Sequence, residues 1–92
     1  AYLTPAERRA APVLYRALEA GHAAWQAGER DPAKVERAAV DLVETEPAVE
    51  LQYLALVDPD RFAPVATAEA GQVLAVAARL GGARLIDNVV LP

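Results

Sequence analysis

Gly81-Gly82 separates two apolar runs: Val73, Leu74, Ala75, Val76, Ala77, Ala78 and Leu80 before it, and Leu85, Ile86, Val89, Val90 and Leu91 after it. A tight primed turn between antiparallel strands needs positive φ, which glycine alone adopts without steric penalty. The pattern therefore predicts a β-hairpin. A hairpin this apolar is not stable in water by itself, so everything upstream must cover it.

The cover is helical. Thr4-Pro5-Ala6-Glu7 is a capping box, in which the threonine oxygen accepts an orphan amide and the glutamate reaches back, with proline at the first helical position. Leu14, Leu18, Gly21 and Trp25 follow at spacings of four, three and four and form one stripe. Leu14, Leu18 and Trp25 are core candidates, and Gly21 is a place for close approach by a neighbouring element. Pro12 falls inside the pattern and removes a backbone hydrogen bond, so a kink or break is expected there. Gly28 ends the helix. Asp31-Pro32 starts a second one, with Val35, Ala38, Ala39, Leu42 and Val43 as its apolar stripe, and Glu46-Pro47 closes it. The short link between the two predicts a helical hairpin.

From Val49 the period changes to two, with Leu54 and Leu56 on one side and Tyr53, Ala55 and Val57 on the other. Asp58-Pro59-Asp60-Arg61 is turn chemistry. Residues 62–70 have no sustained period and read as irregular connection with room for one helical turn. The expected fold is α+β in two layers, a helical pair packed on a three-stranded antiparallel sheet in the order ααβββ.

Ninety-two residues can bury only about 60–65% of their unfolded surface, which allows one core and one domain. The net charge of −4, with basic residues scattered, argues against a grip on nucleic acid or anionic lipid. No apolar stretch is long enough for a membrane span and no secretory signal is visible, so a cytoplasmic protein is the default. The chain opens at Ala1 rather than methionine. Ala1-Tyr2-Leu3-Thr4-Pro5 reads as a linker running into a cap, so a fragment is expected, although loss of an initiator methionine leaves the same end. There is no serine or cysteine, and only one histidine, one lysine and one asparagine. The usual nucleophiles and bases are nearly missing, and independent catalysis is not expected.

Few residues invite a chemical role. His22 is the only imidazole and lacks the second His, Cys or carboxylate pair that a metal site needs, so a structural or solvated role is expected. Asp58 and Asp60 could be an acid-base pair but fit a turn better. Gly81-Gly82 is followed by strand rather than helix pattern and is no phosphate loop. Arg8-Arg9 opposes the helix dipole as an anion site and reads as a solvated face. Arg84, Asp87 and Asn88 are polar residues embedded in the last strand. They read structurally as an Arg-Asp pair plus an asparagine fixing a turn or bulge, and functionally as a face toward another domain. Tyr2 is a further candidate contact with such a domain.

Tyr2-Leu3-Thr4 with Glu7-Arg8, Leu14-Tyr15-Arg16-Ala17-Leu18, Ala27-Gly28-Glu29-Arg30-Asp31, Val57-Asp58-Pro59-Asp60 and, above all, Arg84-Leu85-Ile86-Asp87-Asn88 carry a family resemblance. Together, and in order, they make the chain similar to the C-terminal domain of the pantothenate synthetase (pantoate–β-alanine ligase) family over nearly its whole length. The resemblance implies an ATP- and Mg2+-dependent ligase of coenzyme A precursor synthesis. Pantoate is activated as an acyl adenylate with release of pyrophosphate, and β-alanine attacks it to give pantothenate and AMP. It also implies a homodimeric full-length enzyme whose chemistry lies in an N-terminal Rossmann-like domain. That domain carries a histidine motif and a Ser-Ser-Arg-Asn stretch, neither of which occurs here. No catalytic, cofactor-binding or metal-binding residue is therefore carried onto this sequence. The implied role is a lid over the catalytic domain, with Tyr2, Arg84, Asp87 and Asn88 as candidate interdomain contacts. The alternative is a free-standing module that self-associates through the sheet face bearing Tyr53, Ala55 and Val57, or through a strand edge.

Overall fold

The computed structural model describes residues 3–92. The elements run α1 (Pro5–Ala10), α2 (Pro12–Gln26), α3 (Pro32–Val43), β1 (Val49–Val57), β2 (Val73–Leu80) and β3 (Ala83–Val90). Three antiparallel strands in the order β1-β2-β3 form one layer. The helices form the other, with α3 over β1 and α2 over β2 and β3. This is the two-layer α+β arrangement that the sequence predicts, with the first helix broken at Ala11-Pro12 into α1 and α2.

Each helix starts on a proline, where the missing amide costs nothing. At Thr4 the capping box is complete: Glu7 N donates to Thr4 Oγ1 at 3.1 Å and Thr4 N donates to Glu7 Oε1 at 2.8 Å. Replacing Thr4 by alanine is expected to cost about 1 kcal/mol, which thermal unfolding would read as a drop of roughly 4–8 °C for a domain of this size. An unchanged midpoint would mean that α1 contributes little to the cooperative unit. α2 ends in a Schellman motif, with Gly28 at φ 110°, Gly28 N donating to Trp25 O and Glu29 N to Ala24 O, both at 3.0 Å. α3 ends at Val43, a turn before Glu46-Pro47, on a cap at Glu44.

The core lies between the layers. Val13, Leu14, Ala17 and Leu18 of α2 and Val35, Ala39 and Val43 of α3 meet Leu56 of β1 and Leu74, Val76, Ala78 and Leu80 of β2. Trp25, expected in the core, is only half-buried and packs on its border, with the Arg30 guanidinium 4.9 Å from the ring centre. Gly21 is buried where α2 packs against Leu74 of β2: a Cβ there would lie 2.5 Å from Leu74 Cδ2. β1 carries a bulge at Gln52 that shifts its alternation. Val49 and Leu51 pair with the core-facing Leu80 and Ala78, whereas beyond Gln52 it is Leu54 and Leu56 that pair with Val76 and Leu74.

The β2–β3 turn has positive φ at Gly81 alone, 59°, which matches a II′ turn. Residues 58–72 form no helix. Asp58 Oδ1 accepts from Asp60 N at 2.8 Å and from Arg61 N at 3.3 Å, so this aspartate organises a turn. The loop is pinned at Ala68, fully buried, whose amide donates to Arg30 O at 2.9 Å.

Candidate interdomain surface

Pairing with β2 decides which way each β3 side chain points. Leu85, Asp87 and Val89 stand opposite the core residues Ala78, Val76 and Leu74, on the side of the helices. Arg84, Ile86, Asn88 and Val90 stand opposite Arg79, Ala77, Ala75 and Val73, on the side that no helix covers. Arg84 and Asp87 are thus on opposite faces of the sheet. The expected Arg-Asp pair does not form, because an odd separation along a strand cannot bring two side chains together. Arg84 Nε instead donates across β2 to Gln52 Oε1 at 2.8 Å, and Asp87 Oδ1 accepts from the Asn88 amide at 2.8 Å. Nor does Asn88 fix a turn or bulge, since β2 and β3 pair without interruption.

The uncovered face is ordered in rows across the three strands. Glu50, Arg79 and Arg84 form a charged row at the hairpin end; Tyr53, Ala77 and Ile86 come next, then Ala55, Ala75 and Asn88, then Val57, Val73 and Val90. Tyr53, Ile86 and Val90 are 44%, 61% and 55% exposed and wall a trough floored by Ala75 and Ala77. Alanines in the central strand leave the trough shallow-walled and open, and the charged row closes it at the hairpin end. On the other side of β3, Tyr15, Leu18, Glu19 and His22 of α2 line an open cleft with Asp87, Asn88 and Val89.

Of the residues singled out in the sequence, Arg84 belongs to the uncovered face and Asp87 to the cleft, while Asn88 stands in a row of the uncovered face and also borders the cleft. Tyr2 lies outside the described residues. His22 is half-buried at the cleft, and among the described residues no three His, Cys, Asp or Glu side chains converge as a metal site would need. Ile86, Val90, Tyr15 and Gln52 were not among the expected contacts. The alternation Arg84, Ile86, Asn88, Val90 carries the signal for two of them, once the second apolar run is read with period two. These surfaces hold donors, acceptors and apolar bodies suited to recognition.

The family model described as pantoate-beta-alanine ligase matches residues 1–90. The chain belongs to the pantoate-beta-alanine ligase family. It is similar to the pantothenate synthetase of Rubrobacter xylanophilus, 46% identical over all of this chain and 32% of that protein. It is also similar to the bifunctional pantoate ligase/cytidylate kinase of Gloeobacter violaceus, 43% identical over 98% of this chain and 18% of that one. The crystal structure of pantothenate synthetase from Thermus thermophilus superposes with a TM-score of 0.92 at 39% identity, over 98% of this chain and 32% of the other. The chain thus spans about a third or less of these pantoate-beta-alanine ligase relatives. Among the described residues no helix is long and apolar enough to cross a membrane.

Proposed function

We propose that this chain is the C-terminal lid domain of a cytoplasmic pantothenate synthetase. The enzyme joins pantoate to β-alanine through a pantoyl adenylate, releasing pyrophosphate and then AMP. The observation that carries the reading is the match of nearly the whole chain to about a third of each pantothenate synthetase, combined with residues that offer no nucleophile or base set of their own. Gly81-Gly82 joins two strands instead of opening a helix, so it provides no phosphate-binding helix N-terminus, and among the described residues no three His, Cys, Asp or Glu side chains converge. In this reading ATP and Mg2+ belong to an N-terminal catalytic domain in the rest of the polypeptide, as do pantoate, β-alanine and the homodimer contact. The lid's contribution is to exclude water from the hydrolysable adenylate. Its docking surface is the uncovered sheet face, with Arg84, Asn88, Ile86 and Tyr53, flanked by Asp87 and Tyr15.

The test is direct. The pure chain, given ATP, Mg2+, pantoate and β-alanine, is expected to form no pantothenate, whereas a full-length relative forms it under the same conditions. Turnover by the isolated chain would refute the division of labour. The exposed Tyr53, Ile86 and Val90 also favour a second reading, a module that self-associates through this face. Failure of the chain to bind a catalytic domain supplied separately, together with tight dimerisation by this face, would favour it.

A further inference from the structure

β3 is an open sheet edge, and we propose that Asp87 keeps it from pairing with β3 of a second copy of this chain. The inference does not depend on the lid reading. In a two-residue hairpin the pair flanking the turn, here Leu80 and Ala83, exchanges both backbone bonds, and bonded pairs recur at every second residue. Ala83, Leu85, Asp87 and Val89 therefore bond inward to β2, and the backbones of Arg84, Ile86, Asn88 and Val90 point outward.

The two edges of the sheet are treated differently. β1 is interrupted by the bulge at Gln52, its Leu56 amide is taken by Glu36 Oε2 at 2.8 Å, and Val57 bridges to Pro64. β3 pairs with β2 in unbroken register over its whole length, contains no proline, and carries exposed Ile86 and Val90. Long, regular, apolar edges are the ones that template strand addition. Among the described residues one side chain occupies an outward backbone group of β3: the Asp87 carboxylate on the Asn88 amide, at 2.8 Å.

That position is decisive for a two-fold antiparallel pair. Outward residues must face outward residues, so the pairing centres on Ile86, on Asp87 or on Asn88 if more than two outward positions are to be used. Centred on Ile86, Asn88 meets Arg84 of the second copy. Centred on Asp87, it meets Ile86, and the two Asp87 carboxylates stand directly opposite. Centred on Asn88, it meets itself. Each register needs the Asn88 amide that Asp87 holds, and each brings two carboxylates onto one face within a few residues, where like charges repel.

The experiment uses Asp87→Thr, which removes the carboxylate and keeps a good strand former, and Asp87→Thr combined with Asn88→Pro, which deletes the outward amide without touching the β2–β3 bonds. Asp87→Ser serves if the threonine variant loses its native circular dichroism. By sedimentation equilibrium the parent chain is expected to be monomeric. Asp87→Thr is expected to raise the self-association constant about tenfold or more, and the double variant to abolish that gain. An Asp87→Thr chain no more associated than the parent, or a double variant as associated as Asp87→Thr, would overturn the assignment.

Discussion

Leu74→Ala is expected to lower stability by about 3–5 kcal/mol, the upper part of the range for a buried leucine. Leu74 is fully buried, pairs across the sheet with Leu56 and Val89, and has its Cδ2 methyl in the space that a side chain at position 21 would fill. Neighbours on three sides belong to three elements, so collapse around the void would have to move all of them. Gly21 supplies the control. Gly21→Ala gains about 1 kcal/mol of helix propensity and loses about 1–3 kcal/mol to overpacking, because Leu74 has no exposed direction in which to retreat and Val35 O lies 3.2 Å from the new Cβ. In the double variant the new methyl occupies part of the void, so the two losses are expected to fall short of additivity by about 1 kcal/mol. Urea unfolding of the four proteins measures this. Losses that add within error would mean that α2 and β2 are not in contact at this point.

Gly81→Val is expected to cost about 3 kcal/mol, from two causes that act together. Positive φ for a β-branched residue costs about 1–3 kcal/mol. The space for its Cβ is occupied by the carboxylate of Glu7, which cannot move aside without leaving the Thr4 amide it accepts from. Loss of that cap adds about 1 kcal/mol. The neighbouring glycine isolates the effect: Gly82 has open space and no positive φ, so Gly82→Ser should stay within about 0.5 kcal/mol of the parent. Equal losses at the two positions, measured by thermal or denaturant unfolding, would mean that the Glu7 contact is not what makes Gly81 necessary.

Local signals made most of the fold legible. Proline after Thr4 and Asp31, proline at position 12, glycine at 28 and the paired glycines at 81 and 82 each mark a boundary by backbone chemistry alone, and each boundary lies within a turn of where those residues place it. Composition showed directly that serine and cysteine are missing and that histidine, lysine and asparagine occur once each. What stayed hidden depends on long-range pairing. The bulge at Gln52 exchanges the faces of β1 part-way along, so Leu54 and Leu56 predict the core but Val49 and Leu51 do not follow the same parity. Arg84 and Asp87 suggest an ion pair by charge and proximity along the chain, yet strand geometry sends one to the uncovered face and the other to the cleft. Trp25 has the spacing of a core residue but lies at the end of α2, where it packs half-buried on the core's border with the Arg30 guanidinium over its ring. The family resemblance, read from short stretches such as Arg84-Leu85-Ile86-Asp87-Asn88, holds over residues 1–90, where the pantoate-beta-alanine ligase model matches.

The bulge at Gln52 also gives β1 one residue that its pairing with β2 does not use. Gln52 is exposed, and many side chains could stand in its place with only the bond to Arg84 lost. Deleting the residue would keep the pairing as well: Leu51 would directly precede Tyr53, Val49 and Leu51 would still face Leu80 and Ala78, and Glu50 would still face outward beside Arg79. The position should therefore accept both substitution and loss as far as the core is concerned, and the effect of losing it would fall on the exposed edge of β1, which the bulge makes irregular.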